Sequence, residues 1–282
     1  MQAKQSGNHS LPEQKLAVFE PYILEWGLVP DGQPIVTHSG QLLPVRYQGD
    51  PAMLKISHEV DEKWGGHLLG WWDGIGAARV FQYEGDALLL EQATGKQCLT
   101  EIVRRGDDDE ATRILCNVAN TLHCTPKPPP PDLIPLSQWF GDLEPAADKY
   151  GGVLRESAET ASELLANPQD IVVLHGDLHH GNVLDFDERG WLAIDPKRLI
   201  GERGFDFANI FCNPDHDVAK VPGRLSRQVD VVAEAAAMDR IRLVQWILAW
   251  SGLSAAWFLN DDMMAEGQSE LEITALAARE LG

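Results

Sequence analysis

Apolar residues recur along the chain in two rhythms, and the change from one to the other divides it. Leu16, Phe19, Ile23 and Trp26 lie three or four positions apart, the spacing that keeps one face of a helix apolar, and Gly27 supplies a stop. Short runs with strand character then follow: Pro34–Thr37, Leu42–Gln48, Ala52–Ile56, Ala77–Tyr83 and Ala87–Gln92. Turn residues separate them at Ser39-Gly40, Gly49-Asp50-Pro51 and Glu84-Gly85-Asp86. One helix fits between Glu59 and Trp72, closed by Asp73-Gly74. Residues 1–92 therefore read as a small α+β lobe.

After Thr94-Gly95 the rhythm is helical. Leu99, Ile102 and Val103, then Ile114, Leu115, Val118 and Leu122, repeat at three and four residues. Asp107-Asp108-Asp109 precedes the second of these helices, where carboxylates cap free N–H groups and suit the helix dipole. Four prolines at 128–131 make Pro126–Pro135 a stiff, non-helical connector. Further helices are predicted over Ala146–Leu165 and Val229–Phe258. Residues 93–282 form a larger, mainly helical lobe.

Composition narrows the function classes. The 282 residues include 23 basic and 43 acidic side chains, a net charge of −20, and 44% hydrophobic residues, a globular composition. Such acidity disfavours a nucleic-acid partner, which needs clustered Lys and Arg, and favours a cationic one. The charge is spread evenly, −6 over residues 1–92 and −14 over 93–282, so there is no acidic tail. Met1 to Gln5 lacks an apolar signal core, and the apolar-rich run Leu243–Leu259 is interrupted by Gln245, Ser251, Gly252 and Ser254. Cysteines 98, 116, 124 and 212 form no C-x-x-C pair. The expectation is a cytoplasmic protein without a membrane partner; its oligomeric state is left open.

Chemistry concentrates between Ile171 and Asn213. The apolar run Ile171–Leu174 fits a buried strand and delivers His175-Gly176-Asp177-Leu178-His179-His180-Gly181-Asn182 from its end. Val183–Phe186 and Trp191–Ile194 flank Asp187-Glu188-Arg189-Gly190, which predicts a hairpin with a four-residue loop. Pairing Phe186 with Trp191 sets Asn182 opposite Asp195 and brings two hard oxygen donors together. Two donors suit Mg²⁺, which keeps waters and draws its other ligands from phosphates. Asp177 lies five residues before Asn182, and D-x-x-x-x-N followed by a strand-end Asp is the kinase arrangement of catalytic base and metal ligands.

These residues, with Ile194-Asp195-Pro196-Lys197, resemble the aminoglycoside phosphotransferase branch of the protein-kinase-like superfamily. Leu43–Tyr47 leading to Ala52–Lys55, then Trp71-Trp72-Asp73-Gly74 and Leu88–Glu91, are similar to the streptomycin 6-kinase and hydroxyurea phosphotransferase family. The resemblance spans roughly Pro34 to Pro214. It implies a two-lobed α+β fold, with an antiparallel-sheet lobe carrying one helix and a helical lobe carrying the catalytic loop. It also implies an ATP-dependent kinase acting on a hydroxyl of a small molecule.

The same resemblance implies residue roles. Lys55 contacts the nucleotide phosphates, with Glu62 or Glu59 as its helix partner, and Ser39 lies in the turn over the phosphates. Glu91 and Ala93 belong to the hinge that bonds adenine through backbone. Asp177 is the base, Asn182 and Asp195 hold Mg²⁺, and His175 and Asp206 brace the loop. For a polycationic acceptor the acidic candidates are Asp215, Asp217, Asp261, Asp262 and Glu266, and one of Trp246, Trp250 and Trp257 is a candidate pocket wall beside core roles for the others.

Overall fold

The computed structural model describes residues 16–37, 40–57 and 60–282, without the side chains of 60–64. In the first lobe six strands form one sheet: β1 (Val29–Pro30), β2 (Ile35–Val36), β3 (Gln41–Tyr47), β4 (Asp50–Ile56), β5 (Val80–Glu84) and β6 (Ala87–Glu91). Their order is β1-β3-β4-β6-β5, with β2 also on β3, and every pair is antiparallel. The β3–β4 turn is Gln48-Gly49, both at positive φ, so β4 starts at Asp50, two residues earlier than the sequence suggests. Val80, not Ala77, opens β5, because Ala77 instead bridges to Ala193 in the second lobe.

Strand alternation sorts the central strand. Ala52, Leu54 and Ile56 join Phe19, Leu28, Leu43 and Val45 in a core on one side of the sheet. Phe19 directly precedes a short helix, α1 (Glu20–Glu25). On the other side lies α2 (Val60–Trp72), whose Leu68, Leu69 and Trp72 pack with Leu88 and Leu90 into the main core of the molecule. Helix α2 thereby ties the sheet to the second lobe.

That lobe opens with α3 (Leu99–Arg104) and α4 (Asp108–His123), then β7 (Ile134–Pro135), α5 (Leu136–Trp139), α6 (Leu143–Tyr150) and α7 (Val153–Ala166). Strands β8 (Ile171–Leu174), β9 (Val183–Asp185), β10 (Trp191–Ala193) and β11 (Leu199–Glu202) follow. Helices α8 (Gly204–Ala208), α9 (His216–Ala219), α10 (Arg224–Ala235), α11 (Arg240–Asn260) and α12 (Met264–Leu281) complete it. Helix α11 is buried along most of its length and forms the spine against which α7, α8 and α12 pack.

Three helical expectations are corrected. The single helix expected over Ala146–Leu165 is two, because Gly151 and Gly152 both take positive φ and turn the chain between α6 and α7. The helix expected over Val229–Phe258 breaks after Ala235, and Asp239 starts α11 by accepting the N–H of Arg242 at 2.8 Å. Asp108 caps nothing: it is buried and accepts two bonds from the Arg224 guanidinium, at 2.8 and 3.0 Å. Among the described residues no helix is long and apolar enough to cross a membrane, and all four cysteines are free.

Candidate active site

Strand β8 pairs antiparallel with β11, Leu174 opposite Leu199, and runs directly into the loop 175–182. Gly176 makes the exit possible: its φ is +82°, and a Cβ there would stand 2.9 Å from Lys197 Cβ and from Leu199 Cδ1. The fully buried His175 precedes it. Its Nδ1 accepts the Asp177 N–H at 3.2 Å, and its Nε2 lies 2.8 Å from the Ile194 carbonyl, which can only accept. Nε2 therefore carries the proton, and burial keeps the ring below its ordinary pKa, hence neutral.

The floor of the loop is Asp206, on α8. Its Oδ1 accepts Gly176 N–H at 2.7 Å, and its Oδ2 accepts His175 N–H at 2.8 Å and faces His123 Nε2 at 2.8 Å. Burial alone would raise this carboxyl, but His123 and the loop N–H groups outweigh it and hold the group below the ordinary range. Asp206 and His175 thus both hydrogen-bond to backbone N–H groups of the loop.

Asp177 stands a third exposed with both oxygens oriented. Asn182 Nδ2 donates to the Asp177 carbonyl at 2.9 Å and lies 3.3 Å from Oδ2, while Asn209 Nδ2 donates to Oδ1 at 3.1 Å. Asn209 Oδ1 accepts in turn from Asn213 Nδ2 at 2.9 Å. Sequence reading missed Asn209. It follows Asp206 by three residues, one turn along the same helical stretch, and only the packing of that stretch under the loop brings it to Asp177.

The hairpin is registered one residue away from the expected pairing. Trp191 pairs with Asp185, not Phe186, and Ile194 N–H bonds the Asn182 carbonyl at 2.9 Å, so Asn182 stands opposite Ile194. The loop is longer because Phe186 N–H closes on Gly190 around a 3-10 turn with Asp187 at φ +54°. Asp195 follows the paired residues and leaves the strand in the left-handed region at φ +54°. Its Oδ1 meets Lys55 Nζ at 2.7 Å. Lys55 projects from β4 away from the Leu54 side, as alternation predicts, and is buried, so the ion pair joins the two lobes.

Helix α2 lies close to this junction, since a Cβ on Gly65 would fall 2.7 Å from the Pro196 carbonyl. Glu62 is on the same helix, one turn earlier, but its side chain, like Ser39 and Glu59, lies outside the described residues. At the end of β6, the Glu91 carboxylate pairs with the Arg189 guanidinium, and Ala93 packs with Ala78, Phe186 and Leu192. Asp185 fastens the next residues, its carbonyl accepting Gly95 N–H at 2.9 Å and its Oδ2 accepting Gln97 N–H at 3.1 Å.

The acidic candidates for the acceptor lie at α9 and at the junction of α11 and α12. Asp215 caps α9 through Val218 N–H at 2.9 Å and pairs with Arg104 at 3.2 Å. Asp217, Asp261 and Asp262 are exposed. Glu266 is half-buried near His216, whose pKa is raised chiefly by its 3.0 Å contact with Glu270 and more weakly by Glu266. Of the three tryptophans, Trp246 and Trp250 are core, whereas Trp257 is half-buried.

The family model of aminoglycoside/hydroxyurea antibiotic resistance kinases matches residues 25–262. A streptomycin 3''-kinase of Klebsiella pneumoniae is 50% identical over 262 residues, covering 90% of this chain and 98% of that protein. A streptomycin 6-kinase of Streptomyces griseus is 30% identical over 273 residues, covering 90% and 86%. Among solved structures, the aminoglycoside phosphotransferase APH(3'')-Id of Streptomyces rimosus, in complex with ADP and streptomycin, superposes with a TM-score of 0.58 at 18% identity, over 85% of this chain and 98% of that one. The two lobes are accordingly those of the protein-kinase-like fold, and the chain belongs to the aminoglycoside/hydroxyurea antibiotic resistance kinase family.

Proposed function

We propose that the protein transfers the γ-phosphoryl group of ATP to a hydroxyl of a streptomycin-type aminoglycoside, with Asp177 as the base. The observation that carries this reading is the placement of Asp177, held at both oxygens by Asn182 and Asn209, in the loop that β8 delivers beneath the Lys55–Asp195 pair. An oriented carboxylate accepts the hydroxyl proton as the oxygen attacks phosphorus in line, so positioning supplies much of the rate. The relatives named streptomycin kinases support the acceptor, and the higher identity to the 3''-kinase favours that hydroxyl over the 6-position.

Lys55 steadies the α- and β-phosphates, with Glu62 as its helix partner and Ser39 in the covering turn. Adenine bonds the hinge backbone at Glu91 and Ala93. Asn182 and Asp195 fit Mg²⁺: the Asn182 side chain bonds Asp177 through Nδ2, leaving its Oδ1 as a hard donor, and the Asp195 carboxylate is a second. Among the described residues no group of three or more His, Cys, Asp or Glu could cage a metal, which suits a cation that takes phosphate oxygens as its other ligands. When bound, Mg²⁺ neutralises phosphate charge.

The lobe boundary lies at residues 92/93, between the end of β6 and the start of α3. A cytoplasmic setting suits the four free thiols. The test is incorporation of labelled phosphate from ATP into streptomycin, hygromycin B and hydroxyurea, with NMR locating the phosphate on the product. Transfer to streptomycin at one hydroxyl is expected; transfer to none of the three would overturn the reading.

A further inference from the structure

A cavity of about 480 Å³ opens beside the catalytic loop, lined by Ile134, Gln138, Trp139, Asp142, Lys197 and Trp257. It adjoins the loop through a hydrogen bond and a close packing contact. Lys197 N–H bonds the His175 carbonyl at 2.7 Å, and Lys197 Cβ abuts Gly176, the residue before Asp177. Ile134 N–H bonds the Arg198 carbonyl at 2.7 Å, so the cavity shares the β7-β11-β8 sheet that delivers the loop.

The lining suits an organic cation. Trp139 and Trp257 meet edge to face, centroids 5.6 Å apart at 77°, and form a corner of two indoles. Aromatic walls at an angle attract guanidinium and alkylammonium groups through the ring quadrupole. Asp142 precedes α6 in the N-cap position, yet its side chain does not cap that helix. Its Oδ2 accepts the Trp257 Nε1–H at 3.2 Å instead, which sets a carboxylate at the edge of the corner. Lys197 lines the side that meets the loop. A cation is attracted at the α6 side, by the indole faces and the Asp142 carboxylate.

We propose that this cavity is a cation subsite for the acceptor, in which Trp139, Trp257 and Asp142 take a guanidinium or methylammonium group while the acceptor hydroxyl faces Asp177. The proposal rests on the phosphotransferase reading above. It places acceptor recognition on Asp142 and the indole corner rather than on Asp215, Asp217, Asp261, Asp262 and Glu266. A cation held by Asp142 and the indole corner leaves the neutral hydroxyl for the loop side, where Asp177 lies.

Steady-state kinetics of Trp257→Leu, Trp257→Phe and Asp142→Asn test it, with melting temperatures confirming folded protein. Trp257→Leu and Asp142→Asn should each raise the KM for streptomycin about tenfold while leaving the KM for ATP unchanged, and Trp257→Phe should recover much of the loss by keeping a π face. Unchanged streptomycin KM in Trp257→Leu and Asp142→Asn would overturn the proposal. Calorimetric titration of the wild type with streptidine, which carries the guanidinium groups, and with N-methylglucosamine, which carries the methylammonium, identifies the group held. Binding of one, weakened in both variants, supports the subsite; binding of neither contradicts it. A wild type that transfers no phosphate to streptomycin would defeat the phosphotransferase reading, while these titrations would still judge the cavity.

Discussion

Asp206 carries more structure than any other acidic residue near the site. It accepts from two consecutive loop N–H groups and faces His123, so its removal orphans buried donors on three sides. Asp206→Ala should cost about 3–5 kcal/mol of stability at pH 7, read from urea unfolding. The pH dependence has a defined sign. Because the folded pKa lies below the unfolded value of about 4, this stabilisation is fully present above that value and is lost as pH falls through the folded one. The gap between wild type and variant should therefore narrow at acid pH. Asn209 acts on Asp177 itself, and Asn209→Ala should lower kcat by about tenfold with little change in the KM for ATP. Asp177, Asn182 and Asp195 were legible in the sequence as candidates, because the proposed chemistry depends on their spacing. Asn209 was not legible, because its tie to Asp177 arises only when the segment after α8 packs beneath the loop.

At the scale of elements, turns explain both what could be read and what could not. Strand alternation in β4 correctly separated Lys55 from Leu54, since a period of two admits no ambiguity once the strand is found. The β9–β10 hairpin was found but misregistered, because a 3-10 turn with Asp187 at positive φ adds a residue that composition does not announce. Gly151-Gly152 was visible punctuation within a helical pattern, while the break after Ala235 has no glycine or proline to mark it. Helix α2 gives the prediction at this scale. Gly65→Ala would press a methyl against the Pro196 carbonyl and push α2 from the segment that carries Asp195. The KM for ATP should rise several-fold while the KM for the acceptor holds; a change confined to the acceptor would contradict this role.

For the whole molecule, the net charge of −20 acts oppositely on the two substrates. On the proposed function a polycationic acceptor is drawn in and ATP is repelled, so Lys55 and a bound Mg²⁺ would have to offset the global field locally. Raising ionic strength from about 0.01 M to about 0.15 M shortens the screening length from about 30 Å to about 8 Å. kcat/KM for streptomycin should fall over that range, and kcat/KM for ATP should not. The even spread of charge in the sequence indicated neither where the acceptor binds nor how. The proposed subsite rests instead on an indole corner with a single carboxylate, none of it among the acidic candidates. The central claim is that Asp177 is the base of a phosphoryl transfer to a hydroxyl. It is tested most directly by comparing turnover of ATP and streptomycin in the wild type and in Asp177→Asn, with ATP binding measured in parallel. Turnover in Asp177→Asn should fall about 10²–10⁴-fold with ATP affinity retained; near wild-type turnover would rule out Asp177 as the base.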